Sequence, residues 1–538
     1  MLCQTLGMAA RRARSTRLLA LVFVSAALAA CTAGGPDAAP ERSQSPMVNP
    51  NPGADAVAVV TDEHVEAAVA DVEKSVGEAM DATGTPGIAV AVIHGGDVIL
   101  AEGFGVRDVE SGVPVDADTV FALASVSKSV GSTVVARAID EGIVAWDTPV
   151  AENLDGFTLS DPVAGARVTI ADMYAHRSGL YEHAGDELEE IGYDRAAIIK
   201  QLRYIPLEPW RAVYHYGNFD ITTAAESVAR AAGEDWATLS EHLVYEPLGM
   251  TSTSSRFSDL EGRDNRALGH IKVDGEWVVT PEQRQPDAQS PAGGVSSNLT
   301  DMAIWTKMLL AAGMNDGERF VAESALLPAM SPQMVMGLPS EWGARPGYYG
   351  YGWNVGTTVG GLVDVNHSGA FALGTGTIVK MLPGADLGII VLSNASANGV
   401  AEGIANRFMD IAQFGEERRD WLGFFISVFE GLMNEPAGEF DGQEPPTDPE
   451  PARDLASYAG KYANEYFGPA RVAVEGSGLV LSLGPRGRWP LEHWSGDTFL
   501  FRPTGENANP GATSQATFDS ATLVLEYFDK HGLGTFTR

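Results

Sequence analysis

Residues 121–128 are Phe-Ala-Leu-Ala-Ser-Val-Ser-Lys, and they contain the one Ser-x-x-Lys of the chain, formed by Ser125 and Lys128. The run that follows predicts a helix over 125–139, on which residues i and i+3 share a face. The lysine amine can therefore reach the serine hydroxyl, and the helix macrodipole disfavours an ammonium at this end. A serine hydroxyl needs such a partner to attack a carbonyl at neutral pH. The segment predicts a nucleophile and its base; the alternative is a solvated helix start.

Two further motifs follow this segment, Tyr-Gly-Asn at 216–218 and His-Ser-Gly at 367–369. Ser-x-x-Lys, Tyr-x-Asn and His-x-Gly in this order resemble the penicillin-recognising serine hydrolases. That family contains class C β-lactamases, D,D-carboxypeptidases, D-aminopeptidases and related esterases. The resemblance implies an enzyme that cleaves amide or ester bonds through a covalent acyl-serine, without a metal or organic cofactor.

Intervening segments extend the resemblance from about residue 65 to residue 415. Residues 172–180, Asp-Met-Tyr-Ala-His-Arg-Ser-Gly-Leu, contain a His-x-Ser-Gly-Leu element similar to the family's, and we expect His176 within it to be structural. The Pro-Leu-Gly-Met turn at 247–250 and the Gly-Gly element at 293–294 are similar to family elements as well. Near the C-terminus, Tyr-Ala-Gly-Lys-Tyr at 458–462 resembles the small β-domain often appended to such hydrolases.

The resemblance implies a role for each matching residue. Ser125 attacks the substrate carbonyl, and Lys128 and Tyr216 share the proton relay. A tyrosine is a poor base unless a neighbouring cation such as Lys128 favours its phenolate form. The backbone N–H groups of Ser125 and Ala370 form the oxyanion hole, and Asn218 binds the acyl amide. The expected substrate-binding and oxyanion residues are Asn218, His367, Ser368, Gly369 and Ala370.

His367 departs from the β-lactamase pattern, which usually has a lysine at this position to attract the substrate carboxylate. A histidine with its ordinary pKa near 6.5 is mostly neutral at pH 7. We therefore expect a D,D-peptidase, D-aminopeptidase or esterase, with a β-lactamase as the alternative. A non-catalytic penicillin-binding-like scaffold is the alternative from a different class of function.

The acidic segment 182–190 and its His183 raise the question of a cation site. One histidine in an acidic run does not make a ligand set, so we expect a solvated helix face and no metal. The chain also lacks His-Glu-x-x-His and Gly-x-Ser-x-Gly, which gives no support to a zinc peptidase or an α/β-hydrolase.

The first thirty residues have the pattern of an export signal. Four arginines precede an apolar run from Leu18 to Ala30 that is too short for a permanent membrane helix. Leu-Ala-Ala-Cys at 28–31 resembles a bacterial lipobox, which implies lipidation of Cys31 as the mature N-terminus. The alternative is an ordinary secretory signal. We expect an exported protein, lipid-anchored to the cell envelope.

The pattern of the remaining chain predicts an α+β fold followed by a small all-β unit. Strands, a helix-rich middle, then more strands and a helix indicate a β-lactamase-like domain, with an antiparallel sheet flanked by helices and an all-helical region. Short apolar stretches between glycine turns predict a barrel-like domain at the end. The expected boundaries are 1–30 for the signal, 31–58 for a flexible tether, 59–434 for the hydrolase domain, 435–454 for a proline-rich acidic linker and 455–538 for the β-domain.

The net charge of the chain limits the kinds of partner that it can bind. The chain has 36 Lys and Arg against 71 Asp and Glu, a formal net charge of −35, so we expect no nucleic-acid binding. The expected partners are a small-molecule or peptide substrate and a membrane through the lipid anchor. The β-domain could cap the cleft, mediate dimers or bind glycan, and the sequence leaves these roles open.

Overall fold

A computed structural model describes residues 58–538 except 338, 340, 434–437 and 509–510. The export signal, Cys31 and all but the last residue of the tether lie outside the described residues. No helix within the described part of the chain is both long and apolar enough to cross a membrane.

A sheet of eight strands forms the centre of the first domain. In chain order the strands are β1 (Gly87–His94), β2 (Asp97–Gly105), β3 (Met334–Val335), β4 (Tyr348–Tyr349), β5 (Asn354–Thr357), β6 (Val363–Phe371), β7 (Thr375–Leu382) and β8 (Leu387–Ser393). Their order across the sheet is β2-β1-β8-β7-β6-β5-β4-β3, and all neighbours are antiparallel. β1, the first strand in the chain, thus pairs with β8, the last strand of this sheet in the chain, and Ile88 lies opposite Ser393.

Successive side chains of β1 point to opposite faces of this sheet. Ile88, Val90 and Val92 face one hydrophobic cluster, whereas Ala89 and Ala91 face another. The first cluster is covered by the helices α1 (Asp62–Thr83) and α6 (Val400–Phe414). Thr61 caps α1 by accepting a hydrogen bond from His64 N, as its position before the periodic apolar residues predicts.

The other face carries the helix-rich region. Its longer helices are α2 (Val126–Asp140), α4 (Asn218–Ala232) and α5 (Leu299–Leu310), and a short helix, α3 (Asp186–Glu190), lies between α2 and α4 in the chain. Further short helices are Pro162–Arg167, Ile170–Tyr174, Arg195–Gln201, Trp236–Ser240, Glu246–Leu248, Phe257–Glu261, Ser290–Gly293 and Glu323–Leu326. Three two-stranded pairs complete the region: Phe121–Ala122 with Ser296–Ser297, His270–Val273 with Glu276–Val279, and Met314–Asn315 with Glu318–Arg319.

The last part of the chain is a second sheet of eight strands, each paired with the next in sequence. The strands are β9 (Gly460–Tyr462), β10 (Ala470–Glu475), β11 (Gly478–Leu483), β12 (Gly487–Ser495), β13 (Thr498–Phe501), β14 (Ser514–Phe518), β15 (Thr522–Leu525) and β16 (Thr535–Thr537). A bridge between Ala463 and Thr537 joins its first and last strands, so the sheet is a nearly closed barrel. The two architectures confirm the expected fold class.

A helix and an extended segment connect the sheets. Helix α7 (Trp421–Met433) packs on α6, where Gly403 lets the backbone of Leu422 approach. The described part of the predicted linker, 438–454, lies along the barrel. There Glu439 N donates to Glu526 Oε1 at 2.7 Å, and Phe440 stacks on Trp494 with ring centroids 4.9 Å apart.

The barrel packs against residues 181–193 of the first domain. Arg486 N donates to Ile191 O at 2.9 Å, Tyr193 Oη donates to Phe467 O at 2.9 Å, and His531 stacks on Tyr181. The expectation that 182–190 is a solvated helix face is therefore wrong, because the barrel covers this segment. We name the carboxyl groups enclosed here the acidic junction: Glu187, Glu189, Glu190 and Glu506.

Candidate active site

Ser125 is held at the start of α2 by the strand that precedes it. Phe121 pairs with Ser297, and Leu123 N donates to Val295 O at 2.9 Å. Ala124 then adopts a left-handed conformation, with φ at +47°. A non-glycine residue in this region costs on the order of 1–3 kcal/mol, and such strain is concentrated at functional sites. This turn leaves the Ser125 side chain partly exposed, although the helix behind it is buried.

Lys128 lies one turn further along α2, and its side chain is fully buried. Its Nζ is 3.0 Å from Ser125 Oγ, 2.7 Å from Asn218 Oδ1 and 3.0 Å from the carbonyl oxygen of Ala292. Burial lowers the pKa of Lys128 to about 7, although the negative charge of Asp186 opposes the shift. A substantial fraction of the lysine is therefore neutral near pH 7.

The three partners of Lys128 determine which way its lone pair points. A neutral amine has two protons and one lone pair, and the oxygens of Asn218 and Ala292 can only accept hydrogen bonds. The two amine protons therefore go to these oxygens, and the lone pair is left for the hydroxyl proton of Ser125. This is the arrangement that a general base requires.

Tyr216 completes the arrangement on the other side of Ser125. Lys128 Nζ lies 4.7 Å from the centre of the Tyr216 ring. Burial raises the pKa of Tyr216 above its ordinary value, and the interaction of its hydroxyl with the Ser125 side chain offsets this only in part. Tyr216 is therefore a protonated hydroxyl that can pass a proton on, and Lys128 is the better base.

The ring of His176 packs against the ring of Tyr216. Its Nδ1 accepts a hydrogen bond from Gly217 N at 3.2 Å, and its ring centroid lies 4.7 Å from that of Tyr216. Burial and the charge of Lys128 lower the pKa of His176 well below its ordinary value. A neutral, buried ring in this position agrees with the structural role expected from the sequence.

Strand β6 brings the residues 367–370 alongside Ser125. On one side β6 pairs with β7 over 365–371, whereas on the other it pairs with β5 only over 363–366 within the described residues. Gly369 permits the close approach, since a Cβ at this position would collide with the carbonyl oxygen of Leu123 and lie 3.1 Å from Ser125 N. Ser368 is partly buried, and the exposed Ala370 follows at the open edge. The Ser125 backbone N–H thus lies beside the strand of the other expected oxyanion donor.

His367 lies on the same strand, but it is buried and turned to internal partners. Its Nδ1 is 2.7 Å from the carbonyl oxygen of Ser368, which can only accept, so Nδ1 carries the proton. Its Nε2 is 2.8 Å from Tyr349 Oη, which must then donate to it. Burial, and next the charge of Lys128, lower the pKa of His367 to about 3. The ring is neutral, and both of its nitrogens are engaged.

Three further residues, which no sequence motif indicates, contact the site or the segments beside it. Asp186 Oδ2 accepts from Asn218 Nδ2 at 2.8 Å, so both ends of the Asn218 side chain already have partners. From the barrel, Tyr466 Oη accepts from Gly185 N at 3.1 Å, and Glu506 accepts from Ala372 N, just beyond β6. The only sequence signal for Asp186 was its place in the acidic segment. The barrel contacts join residues too distant in sequence for any local pattern to show.

No cluster of three or more His, Cys, Asp or Glu side chains within the described residues is arranged to hold a metal ion. The acidic junction instead contains an arginine: Arg284 Nη2 lies 2.6 Å from Glu189 and its Nε lies 3.9 Å from Glu506.

Comparison with known proteins places this chain in a family. A family model described as Beta-lactamase matches residues 72–414, more than half of the chain, and a domain of unknown function, DUF3471, matches residues 444–522. The unguisins hydrolase ungD of Aspergillus violaceofuscus is 25% identical over 80% of this chain and 82% of its own length. Penicillin-binding protein 4 of Amycolatopsis lactamdurans is 28% identical over 71% of this chain and 94% of its own.

A solved structure shows the same fold. The octameric penicillin-binding protein homologue from Pyrococcus abyssi superposes with a TM-score of 0.58 at 20% identity, over 87% of this chain and all of its own. The matched family model covers the sheet strands and the helix that carries Ser125 and Lys128. The chain therefore belongs to the beta-lactamase family.

Proposed function

We propose that this protein is a serine hydrolase that cleaves amide or ester bonds through an acyl group on Ser125. The observation that carries the proposal is the environment of Lys128, whose lone pair is left for the Ser125 hydroxyl by two carbonyl acceptors. Family membership supports a hydrolase, and the arrangement of Ser125 and Lys128 supports an acyl-serine reaction.

In the proposed reaction, Ser125 Oγ bonds to the substrate carbonyl carbon while Lys128 Nζ takes the hydroxyl proton. The carbonyl oxygen becomes an oxyanion, which accepts hydrogen bonds from the N–H groups of Ser125 and Ala370. The bond to the leaving amine or alcohol then breaks, and the leaving group takes the proton from Lys128, directly or through the Tyr216 hydroxyl. A water molecule attacks the acyl-serine in the same way and restores Ser125.

The surroundings of His367 favour a substrate that has no carboxylate to be bound beside this residue. A neutral histidine with both nitrogens engaged offers neither a charge nor a free donor to an anion. The nearby Arg284 is already paired with carboxylates of the acidic junction. We therefore favour esters and D-amino-acid amides as substrates over β-lactams and D,D-peptides, both of which carry a carboxylate near the bond that is cleaved.

The predicted lipid anchor fits this function. A protein exported through residues 1–30 and attached through Cys31 would meet D-amino-acid peptides of the cell envelope. Incorporation of a labelled fatty acid into the wild type, and its loss in Cys31→Ser, is the expected result. A product cleaved at another position would overturn the anchor without affecting the proposed chemistry.

The reaction is tested by Ser125→Ala beside Ser132→Ala. Ser132 lies on the same helix, and its buried hydroxyl has no hydrogen-bond partner within the described residues, so its loss should leave turnover unchanged. We expect Ser125→Ala to lower the hydrolysis of a p-nitrophenyl ester by about 10³-fold or more. Intact mass after a fluorophosphonate probe should show one adduct on the wild type and on Ser132→Ala.

Two outcomes would count against the proposal. Ser125→Ala with wild-type turnover would remove Ser125 as the nucleophile, and an unlabelled wild type would indicate a scaffold without acylation. Incubation with a penicillin adds information on the substrate. A lasting adduct on Ser125 indicates a D,D-peptidase-like pocket, and an unmodified protein with intact drug favours esters and D-amino-acid amides.

A further inference from the structure

Asp186 reaches the active site from the segment beneath the barrel. It is the first residue of α3, and only 3% of its surface is exposed. Its Oδ2 accepts hydrogen bonds from Asn218 Nδ2 and from His183 Nδ1, both at 2.8 Å. None of the roles assigned above to the nucleophile, base or oxyanion hole uses this carboxylate.

The carboxylate determines which way round the Asn218 side chain lies. A carboxylate can only accept, so the NH₂ end of the amide faces Asp186 and the oxygen end faces Lys128, 2.7 Å away. If the amide were turned over, its NH₂ group would point at the Lys128 amine. The amine would then meet a donor where it now has an acceptor, and its lone pair would be drawn away from Ser125.

The backbone around Asp186 is fixed on both sides. His183 N donates to the Tyr216 carbonyl oxygen at 2.8 Å, and Gly185 N donates to Tyr466 Oη of the barrel at 3.1 Å. Gly185 has φ at +96°, and a Cβ there would lie 2.8 Å from the Phe219 ring, so glycine is required. The carboxylate is therefore held at one place relative to Tyr216 and Asn218.

We infer that Asp186 is a positioning residue for the proposed reaction: it sets the orientation of the Asn218 amide and, through it, the direction of the Lys128 lone pair. The inference rests on the proposed function of Lys128 as the base. Asp186 also acts on Lys128 through its charge, which raises the pKa of Lys128 against the effect of burial.

Other ionisable groups share these surroundings and enter the interpretation of any pH profile. They are His183, Lys128, Tyr216, Tyr181, Glu187, Glu189, Glu190, Asp220, Arg284 and Tyr527. Asp186 is the one carboxylate among them whose charge shifts the pKa of Lys128.

The test is Asp186→Asn, with the hydrolysis of a p-nitrophenyl ester measured from pH 5 to 9. In the wild type kcat/KM should rise with pH through about 7, since only neutral Lys128 is a base. In Asp186→Asn we expect kcat to fall by about 10–100-fold with KM little changed, because only the transition state needs the base aligned. The acid limb should move to lower pH, because the charge that raises the pKa of Lys128 is gone.

Two further variants separate positioning from a general effect on structure. Glu187→Gln changes the neighbouring residue of the same helix, which does not contact Asn218, and should keep wild-type kcat and the wild-type acid limb. The double variant Asp186→Asn/Asn218→Asp exchanges the two side chains, so that a donor and an acceptor again face each other. It should recover about tenfold of the lost kcat, and its acid limb should move to higher pH because the carboxylate is now closer to Lys128.

A readout independent of catalysis separates this inference from the proposed function. The chain has eight lysines, so ¹⁵N-labelled lysine gives few signals, and comparison with Lys128→Ala assigns the one of interest. Its pKa should be lower in Asp186→Asn than in the wild type. A wild type that forms the acyl adduct beside an Asp186→Asn with unchanged kcat and pKa would overturn the inference alone. A wild type that forms no adduct would overturn the proposed function.

Discussion

The buried carboxylate of Asp172 and the carboxyl groups of the acidic junction differ in the number of cations beside them. Asp172 is fully buried, with Arg177 Nε at 2.8 Å and Arg211 Nη2 at 2.7 Å. The acidic junction beneath the barrel has four carboxyl groups and one arginine, Arg284.

The pKa values follow this difference in partners. Burial opposes the ionisation of Asp172, but hydrogen bonds from Arg211 and Arg177 hold its pKa below the ordinary value. In the junction burial dominates: it raises the pKa of Glu187 to about 8 and the pKa of Glu190 and Glu506 to about 7. Neighbouring cations keep a buried carboxyl group ionised, and a buried carboxyl group without them keeps its proton to a higher pH.

The two regions therefore respond to pH with opposite sign. Asp172 has a folded-state pKa below its unfolded value, so its stabilising contribution is present above the unfolded pKa and is lost as pH falls through the folded one. The junction carboxyls have folded-state pKa values above the unfolded value of 4.5. Their stabilising contribution to the free energy of unfolding is complete below a pH of 4.5 and is lost as the pH rises through about 7 to 8.

The largest effect is expected at Asp172. Asp172→Asn leaves two arginines facing a neutral side chain, and breaking a buried ion pair in this way costs about 3–5 kcal/mol in the free energy of unfolding. Guanidinium denaturation at pH 7 measures it. Asp235→Asn is the matched control, because Asp235 pairs with Arg256 while largely exposed and should change the free energy by less than about 1 kcal/mol. Equal effects at the two positions would refute the contrast between buried and exposed pairing.

The junction is expected to give an effect that depends on pH. The free energy of unfolding of the wild type should fall between pH 5 and 8, and Glu187→Gln should lessen this fall by about 1–3 kcal/mol. At pH 5, where Glu187 is protonated, the variant and the wild type should have the same stability. Glu66→Gln, on the exposed face of α1, should follow the wild type throughout. Parallel curves for Glu187→Gln and the wild type would show that Glu187 is ionised in the folded protein.

The smallest effect is a few-fold change in kcat, which is expected where the barrel meets the active-site segment. Tyr466→Phe leaves Gly185 N without its acceptor, at a cost of about 1–3 kcal/mol in stability, and should lower kcat by a few-fold because the segment carries Asp186. Tyr462→Phe removes a hydroxyl that donates to Tyr458 O inside the barrel. It should change stability alone. A fall in kcat of the same size in both variants would mean that the barrel acts only through overall stability.

The sequence predicted the parts of the fold that depend on local pattern. The helix predicted over 125–139 is α2, and the strands predicted before and after the helix-rich middle are those of the first sheet. These elements follow from periodicity and turn residues within a few positions. The expected nucleophile and base meet because three residues separate them on one helix, which is also a local relation.

What the sequence could not predict depends on contacts between distant residues. The acidic segment has the composition of a solvated helix face, and only the barrel, about 280 residues later, makes it buried. The hydrogen bond between His367 and Tyr349 comes from the arrangement of strands across the sheet. Asp186 could not be distinguished from its acidic neighbours, since its contact with Asn218 is a feature of tertiary packing.

The hydrogen bond from Gly185 to Tyr466 also has a consequence for the timing of activity during synthesis. The two residues are 281 positions apart, so at about 5–20 residues per second the ribosome needs about 15–55 s to progress from one to the other. Throughout that interval Ser125, Lys128 and the segment carrying Asp186 have been made, but Tyr466, which holds this segment, has not. A chain that stops short of Tyr466 would therefore lack the acceptor that holds the segment carrying Asp186.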